Sequence, residues 1–96
     1  MNPDSDLPPA PLVIDFIDGW CPVQAEGTVG GKPFYFRSRG QHWTMSIGGE
    51  DIIMKPEWHR RRHYSDVSYS AGWIEVAEAE KFIRESAADY LAGKAP

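Results

Sequence analysis

Across residues 23–47 apolar and polar side chains alternate with a period of two, and glycine-headed turn signals break the alternation twice. Gly30-Gly31 suits a two-residue primed hairpin, which sets Val29 opposite Lys32, Gly27 opposite Phe34 and Ala25 opposite Phe36. Gly40-Gln41 suits a second, with Ser38 opposite Trp43, Phe36 opposite Met45 and Phe34 opposite Ile47. The two turns are independent, yet their registers sort the residues into the same two faces. One face carries Val23, Ala25, Gly27, Phe34, Phe36, Ser38, Trp43, Met45 and Ile47, a surface fit for a core. The other carries Gln24, Glu26, Thr28, Tyr35, Arg37, Arg39, His42, Thr44 and Ser46. A slip of one residue would mix the two sets, so the patterning supports the register.

The flanks are less regular. Residues 12–18 lie between Pro11 and Gly19 and predict a short helix. Gly48-Gly49-Glu50-Asp51 is a turn, and residues 52–55 predict a fourth strand ending at Pro56. Residues 57–70 read as a hairpin with Arg60-Arg61-Arg62 at its tip and Val67 and Tyr69 on the return strand, the alternative being a helical turn opened by Pro56. Residues 74–92 are the clearest helix: Val76, Ala79, Phe82, Ile83, Ala87, Tyr90 and Leu91 form one apolar stripe, Glu75, Glu78 and Glu80 crowd its start, and Gly93 follows as a C-cap. The expected fold is α+β: an antiparallel meander of three to five strands with the C-terminal helix packed on one face. Residues 1–11, with four prolines among Asn2 to Pro11, read as an extended arm, and residues 12–96 as a single small domain.

Composition narrows the function. A chain of 96 residues buries about 60 to 65% of its unfolded surface, enough for one modest core and no deep cofactor cavity. No cofactor is expected. The chain has no apolar run near the ~20 residues of a membrane span, and residues 1–10 carry two aspartates and no Lys or Arg where an export signal needs a basic start. With Cys21 its one cysteine, it predicts a soluble protein of the reducing cytoplasm. The net charge of -4 hides a layout: residues 1–30 hold five acids and no base, residues 31–64 seven bases against three acids, and residues 65–96 six acids against three bases. So broken a pattern argues against coating nucleic acid, which needs a continuous basic face, but leaves room for a local anion contact.

The candidate residues follow from that basic middle. Tyr35, Arg37 and Arg39 share the polar face with His42, Thr44 and Ser46. Such a face grips a carboxylate or phosphate, because arginine donates in a bidentate way and stacks on rings. The plainer reading is a solvated sheet face with Glu26 and Arg37 paired across strands. Arg60, Arg61 and Arg62, exposed at a hairpin tip, would add a second contact for an acidic partner, or simply solubilise a loop. His59 and His63 have the spacing of zinc ligands on a helix, with Cys21, His42 or Glu57 as conceivable third ligands. Arg60 stands where a metalloprotease motif needs glutamate, and three adjacent cations oppose a dication, so no metal site is expected. Trp43 faces the core, while an exposed Trp20 or Trp58 would mark a contact.

The stretch Gly27-Thr28-Val29-Gly30-Gly31-Lys32-Pro33-Phe34-Tyr35-Phe36-Arg37-Ser38-Arg39-Gly40, with Trp43 and the later Ala71-Gly72-Trp73, resembles a family of short uncharacterised bacterial or prophage proteins with a G-x-V-x-G-x-P-FYFR-x-RG-xx-W pattern. The resemblance covers residues 19–92 and implies no catalytic residue. The expected function is a small binding module without catalytic activity, its polar sheet face contacting an acidic or anionic protein partner. Two other classes stand beside it: a phage-borne inhibitor of the anti-CRISPR type that occludes a host complex, and a small enzyme built on His42, His59, His63 and Cys21. An uncovered sheet edge adds a homodimer as a secondary expectation.

Overall fold

The computed structural model describes residues 11–19, 22–67 and 70–96. Five strands, β1 (Leu12–Gly19), β2 (Val23–Val29), β3 (Lys32–Arg39), β4 (His42–Ile47) and β5 (Trp58–His63), pair antiparallel in chain order. One helix, α1 (Val76–Leu91), packs on the sheet after a 3-10 turn at Ser70–Trp73. This is the expected α+β meander with a C-terminal helix, and no helix among the described residues is long and apolar enough to cross a membrane.

The central register is the one the two turns dictate. Gly30 and Gly31 have φ of 57° and 82°, as a primed turn demands, and Lys32, Phe34 and Phe36 face Val29, Gly27 and Ala25. Gly40 has φ of 64°, and Phe34, Phe36 and Ser38 face Ile47, Met45 and Trp43. The predicted core face is buried throughout, with Ala79, Ile83 and Ala87 of α1 packed against it and the Phe82 ring stacked 4.8 Å from Trp43. Ser38, the polar member of that face, donates its hydroxyl proton to the Ala71 carbonyl and so docks the 3-10 turn against β3. Gly27 is there for space. A Cβ on it would lie 1.9 Å from the Val13 carbonyl oxygen and 2.6 Å from Phe34 Cε2, so glycine is what lets β1 and the Phe34 ring close on β2 together. The helix ends at Gly93, with φ of 75°: its N–H donates to the Tyr90 carbonyl at 3.0 Å and that of Lys94 to the Asp89 carbonyl at 2.9 Å, satisfying two of the last-turn acceptors.

Three expectations are corrected. Residues 12–18 form a strand, not a helix. Leu12 and Ile14 face Val29 and Gly27, the register then shifts between Ile14 and Phe16, and Ile17 returns to the core side opposite Ala25. A bulge at Asp15 therefore puts two core residues three apart in sequence, which imitates helical spacing. Residues 52–55 are a turn rather than a fourth strand. The Asp51 carboxylate accepts the N–H groups of Ile53 and Met54, both at 2.9 Å, and this local bonding replaces a ladder. Finally, the three arginines form no hairpin tip. β5 runs straight through them, with Trp58, Arg60 and Arg62 opposite Ile47, Met45 and Trp43. Val67 lies in no strand, and Tyr69, like Trp20, Cys21 and residues 1–10 of the arm, lies outside the described residues.

Phe36 is fully buried between Ala25 and Met45, so Phe36→Ala should cost roughly 3 to 5 kcal/mol in urea denaturation, enough to leave so small a domain largely unfolded. Near-native stability would contradict the face assignment. Gly27→Ala should destabilise by more than the ~1 kcal/mol of an average substitution, and its loss of amide protection in hydrogen exchange should start in β1.

Candidate anion-binding face

Strand pairing turns the outer face of the sheet into a grid. One row crosses it as Gln24, Arg37, Thr44 and Arg61, the next as Arg39, His42 and His63, and on the other side lies Glu26, Tyr35, Ser46 and His59. With strands about 4.8 Å apart, the Arg37 and Arg61 backbones flank Thr44 at about 10 Å from each other, within reach of two long side chains leaning inward. Arg37, Arg39, Gln41, His42, Thr44, His59 and Arg61 line one wide, open concavity of about 520 Å³, and no carboxylate belongs to its lining.

Charge in this concavity is uncompensated. Among the described residues Arg37, Arg39 and Arg61 have no carboxylate partner, and the expected pairing of Glu26 with Arg37 does not form. Arg37 also keeps its Nε–H away from solvent without an acceptor, an unmet donor of the kind that costs on the order of 1 to 3 kcal/mol. The histidines are held in place. His59 Nδ1 lies 2.8 Å from Ser46 Oγ, His63 Nε2 lies 3.0 Å from Asp66 Oδ1, and the His42 ring meets His63 edge to face at 5.3 Å with its Nδ1 3.5 Å from an Arg61 nitrogen. Partial burial, then the Arg61 and His63 charges, hold His42 below the usual imidazole range. Protonation therefore opposes folding at His42: stability is intact above the ordinary imidazole pKa and declines as pH falls through the lower folded value. Tyr35 donates to Gln24 Oε1 at 3.1 Å and borders the site.

The expected site residues thus divide. Tyr35, Arg37, Arg39, His42 and Arg61 share the outer face, whereas Arg60 and Arg62 point to the helix side. Arg60 is only 7% exposed. Its guanidinium lies 4.7 Å from the Trp58 ring centroid, bonds Asp89 Oδ2 at 2.9 Å and reaches Ser86 Oγ at 3.5 Å. Beside it Asp89 is held below the usual carboxylate range, first by that hydrogen bond. Arg62 donates to the Arg61 and Pro96 carbonyls. Trp58 is buried too, its indole N–H on the Lys94 carbonyl at 3.0 Å, and so marks no contact surface.

Sequence reasoning considered His59 only as a metal or catalytic candidate and missed its place in this lining, where the register of β5 puts it and Ser46 holds its ring. It also missed the helix's claim on Arg60. Alternation through 58–63 was the available signal, masked by a central residue that is long, cationic and nevertheless buried by its stem. Ser46 is 5% exposed, so its hydroxyl anchors the His59 ring and is not offered as a nucleophile. His59 and His63 straddle Arg61 along β5, and the described residues contain no group of three or more His, Cys, Asp or Glu placed to hold a metal ion. No family model matches the chain, and no curated protein or solved structure does.

Arg60 and Arg61 are neighbours with opposite tasks, and alanine substitution should separate them. Arg60→Ala should cost roughly 2 to 4 kcal/mol, because it strips the Trp58 packing and strands a partly buried Asp89. Arg61→Ala should stay within about 0.5 kcal/mol. Chemical denaturation reads both, and equal costs would contradict the strand assignment of 58–63.

Proposed function

We propose that the protein is a non-catalytic binding module whose outer sheet face docks an acidic or anionic partner. The observation that carries this reading is that Arg37, Arg39 and Arg61 line one concavity without a single carboxylate, in a chain that carries 14 acidic side chains. Folding has left three mutually repelling cations together, and an anionic surface relieves that repulsion. The face is also polarised. Asp18 and Glu26 occupy its β1–β2 side and the arginines its β3–β5 side, so the positive field is confined to a small footprint and fits a local docking contact better than a track along nucleic acid.

Arg37→Glu with Arg39→Glu tests the reading. Both side chains leave the core face untouched, so stability should change by no more than about 1 kcal/mol. Binding of a poly-glutamate peptide, and capture of acidic partners from lysate quantified by mass spectrometry, should each fall at least tenfold. Undiminished binding by a stably folded double variant would remove this face from consideration.

A further inference from the structure

The concavity is specific about the shape of the charge it takes. Its donors come from three adjacent strands: Arg37 and Arg39 from β3, Thr44 from β4 and Arg61 from β5, with Thr44 between Arg37 and Arg61 in one row of the sheet. A carboxylate has two oxygens in one plane and one charge, and a single guanidinium fork satisfies it. Guanidinium groups borne on two strands, with a hydroxyl on the strand between them, are better matched to a group whose oxygens point in several directions and whose charge approaches two. The geometry points to a phosphomonoester dianion as the group this site binds, carried on a peptide phosphoserine or as a free phosphate ester. This rests on the reading of the face as an anion-binding surface and narrows it to one chemical class.

Three further observations agree. The unpartnered Arg37 Nε–H supplies another donor once the guanidinium reseats on an oxyanion. The concavity is open and walled by polar side chains, with no apolar slot for a base or sugar, so it can read the phosphoryl group and leave the rest of the ligand in solvent. His42 lies in the middle of the donors. The charged and titratable groups about it are Arg39 on β3 and His59, Arg61 and His63 on β5, with Asp66 beyond His63, so no carboxylate of the lining faces its ring and a dianion would supply a favourable partner for its protonated form. Binding should therefore strengthen as His42 takes up a proton, the reverse of its effect on the empty fold.

The test is an NMR titration of the full chain at constant ionic strength with inorganic phosphate, O-phosphoserine, acetate and sulfate. Phosphate and O-phosphoserine should shift the amide signals of Arg37, Thr44, His42 and Arg61 and bind at least tenfold tighter than acetate. Arg61→Gln should abolish that preference at unchanged melting temperature. Sulfate remains a dianion across pH 5.5 to 7.5, roughly one unit either side of the imidazole pKa, so it isolates the protein's own titration. Its affinity should rise as pH falls, and in His42→Asn it should not. A glycine-flanked phosphoserine peptide and its glutamate counterpart complete the set: peptide binding tighter than free O-phosphoserine places the group on a protein partner, equality assigns it to a free ester. Equal affinities for acetate and phosphate would overturn the phosphoryl assignment while leaving an acidic-surface reading intact. Loss of poly-glutamate binding as the sole effect of the arginine changes would do the same.

Discussion

Everything in this molecule depends on the pleat parity of β3, fixed from both ends by turns of two residues. Because successive side chains of a strand point to opposite faces, locking Val29 against Lys32 and Arg39 against His42 sends Phe34, Phe36 and Ser38 inward and Tyr35, Arg37 and Arg39 outward in the same stroke. Core and site are thus two readings of a single register. A slip by one residue would bury two arginines and expose two phenylalanines, a cost far beyond the few kcal/mol that hold a domain of this size together.

That coupling explains which parts of the fold were legible in the sequence. β2, β3 and β4 could be paired residue by residue because glycine marks their turns and nothing interrupts the alternation. β1 was not, since the bulge at Asp15 inserts one residue and converts a period of two into an apparent three. The turn after Gly49 was hidden because Ile52, Ile53 and Met54 look like a strand while a preceding aspartate captures their backbone. β5 was obscured by its own composition: Arg60 occupies a core position opposite Met45 and is charged. The site followed suit. Arg37, Arg39 and His42 could be placed by parity alone, whereas His59 and Arg61 could be given a face only once 58–63 was known to be a strand.

The arginine run illustrates how alternation divides labour among like residues. Arg60 is held by an aromatic ring and a carboxylate and serves the joint between sheet and helix, while Arg61, one position later, is left without a counter-ion on the opposite face. The helix end reinforces that joint from several sides. Trp58 donates to the Lys94 carbonyl, Tyr90 donates to the Glu57 carboxylate at 2.6 Å, and Glu57 in turn pairs with Lys32 at the start of β3. The strand that carries Arg61 is therefore braced from the opposite face by α1 and the residues after it.

An open meander has two borders, and here they are guarded by different physics. Along β1 the bulge at Asp15 warps the outermost backbone so that a further strand cannot lie flat against it. Along β5 the border carries two exposed arginines, Arg61 and Arg62, whose like charge disfavours the approach of another cationic strand. Geometry is indifferent to electrolyte, but repulsion between exposed charges fades once the Debye length shrinks from about 10 Å at 0.1 M salt toward 3 Å at 1 M. The sheet consequently has one border whose protection is built into the backbone and one whose protection is electrostatic and weakens with salt.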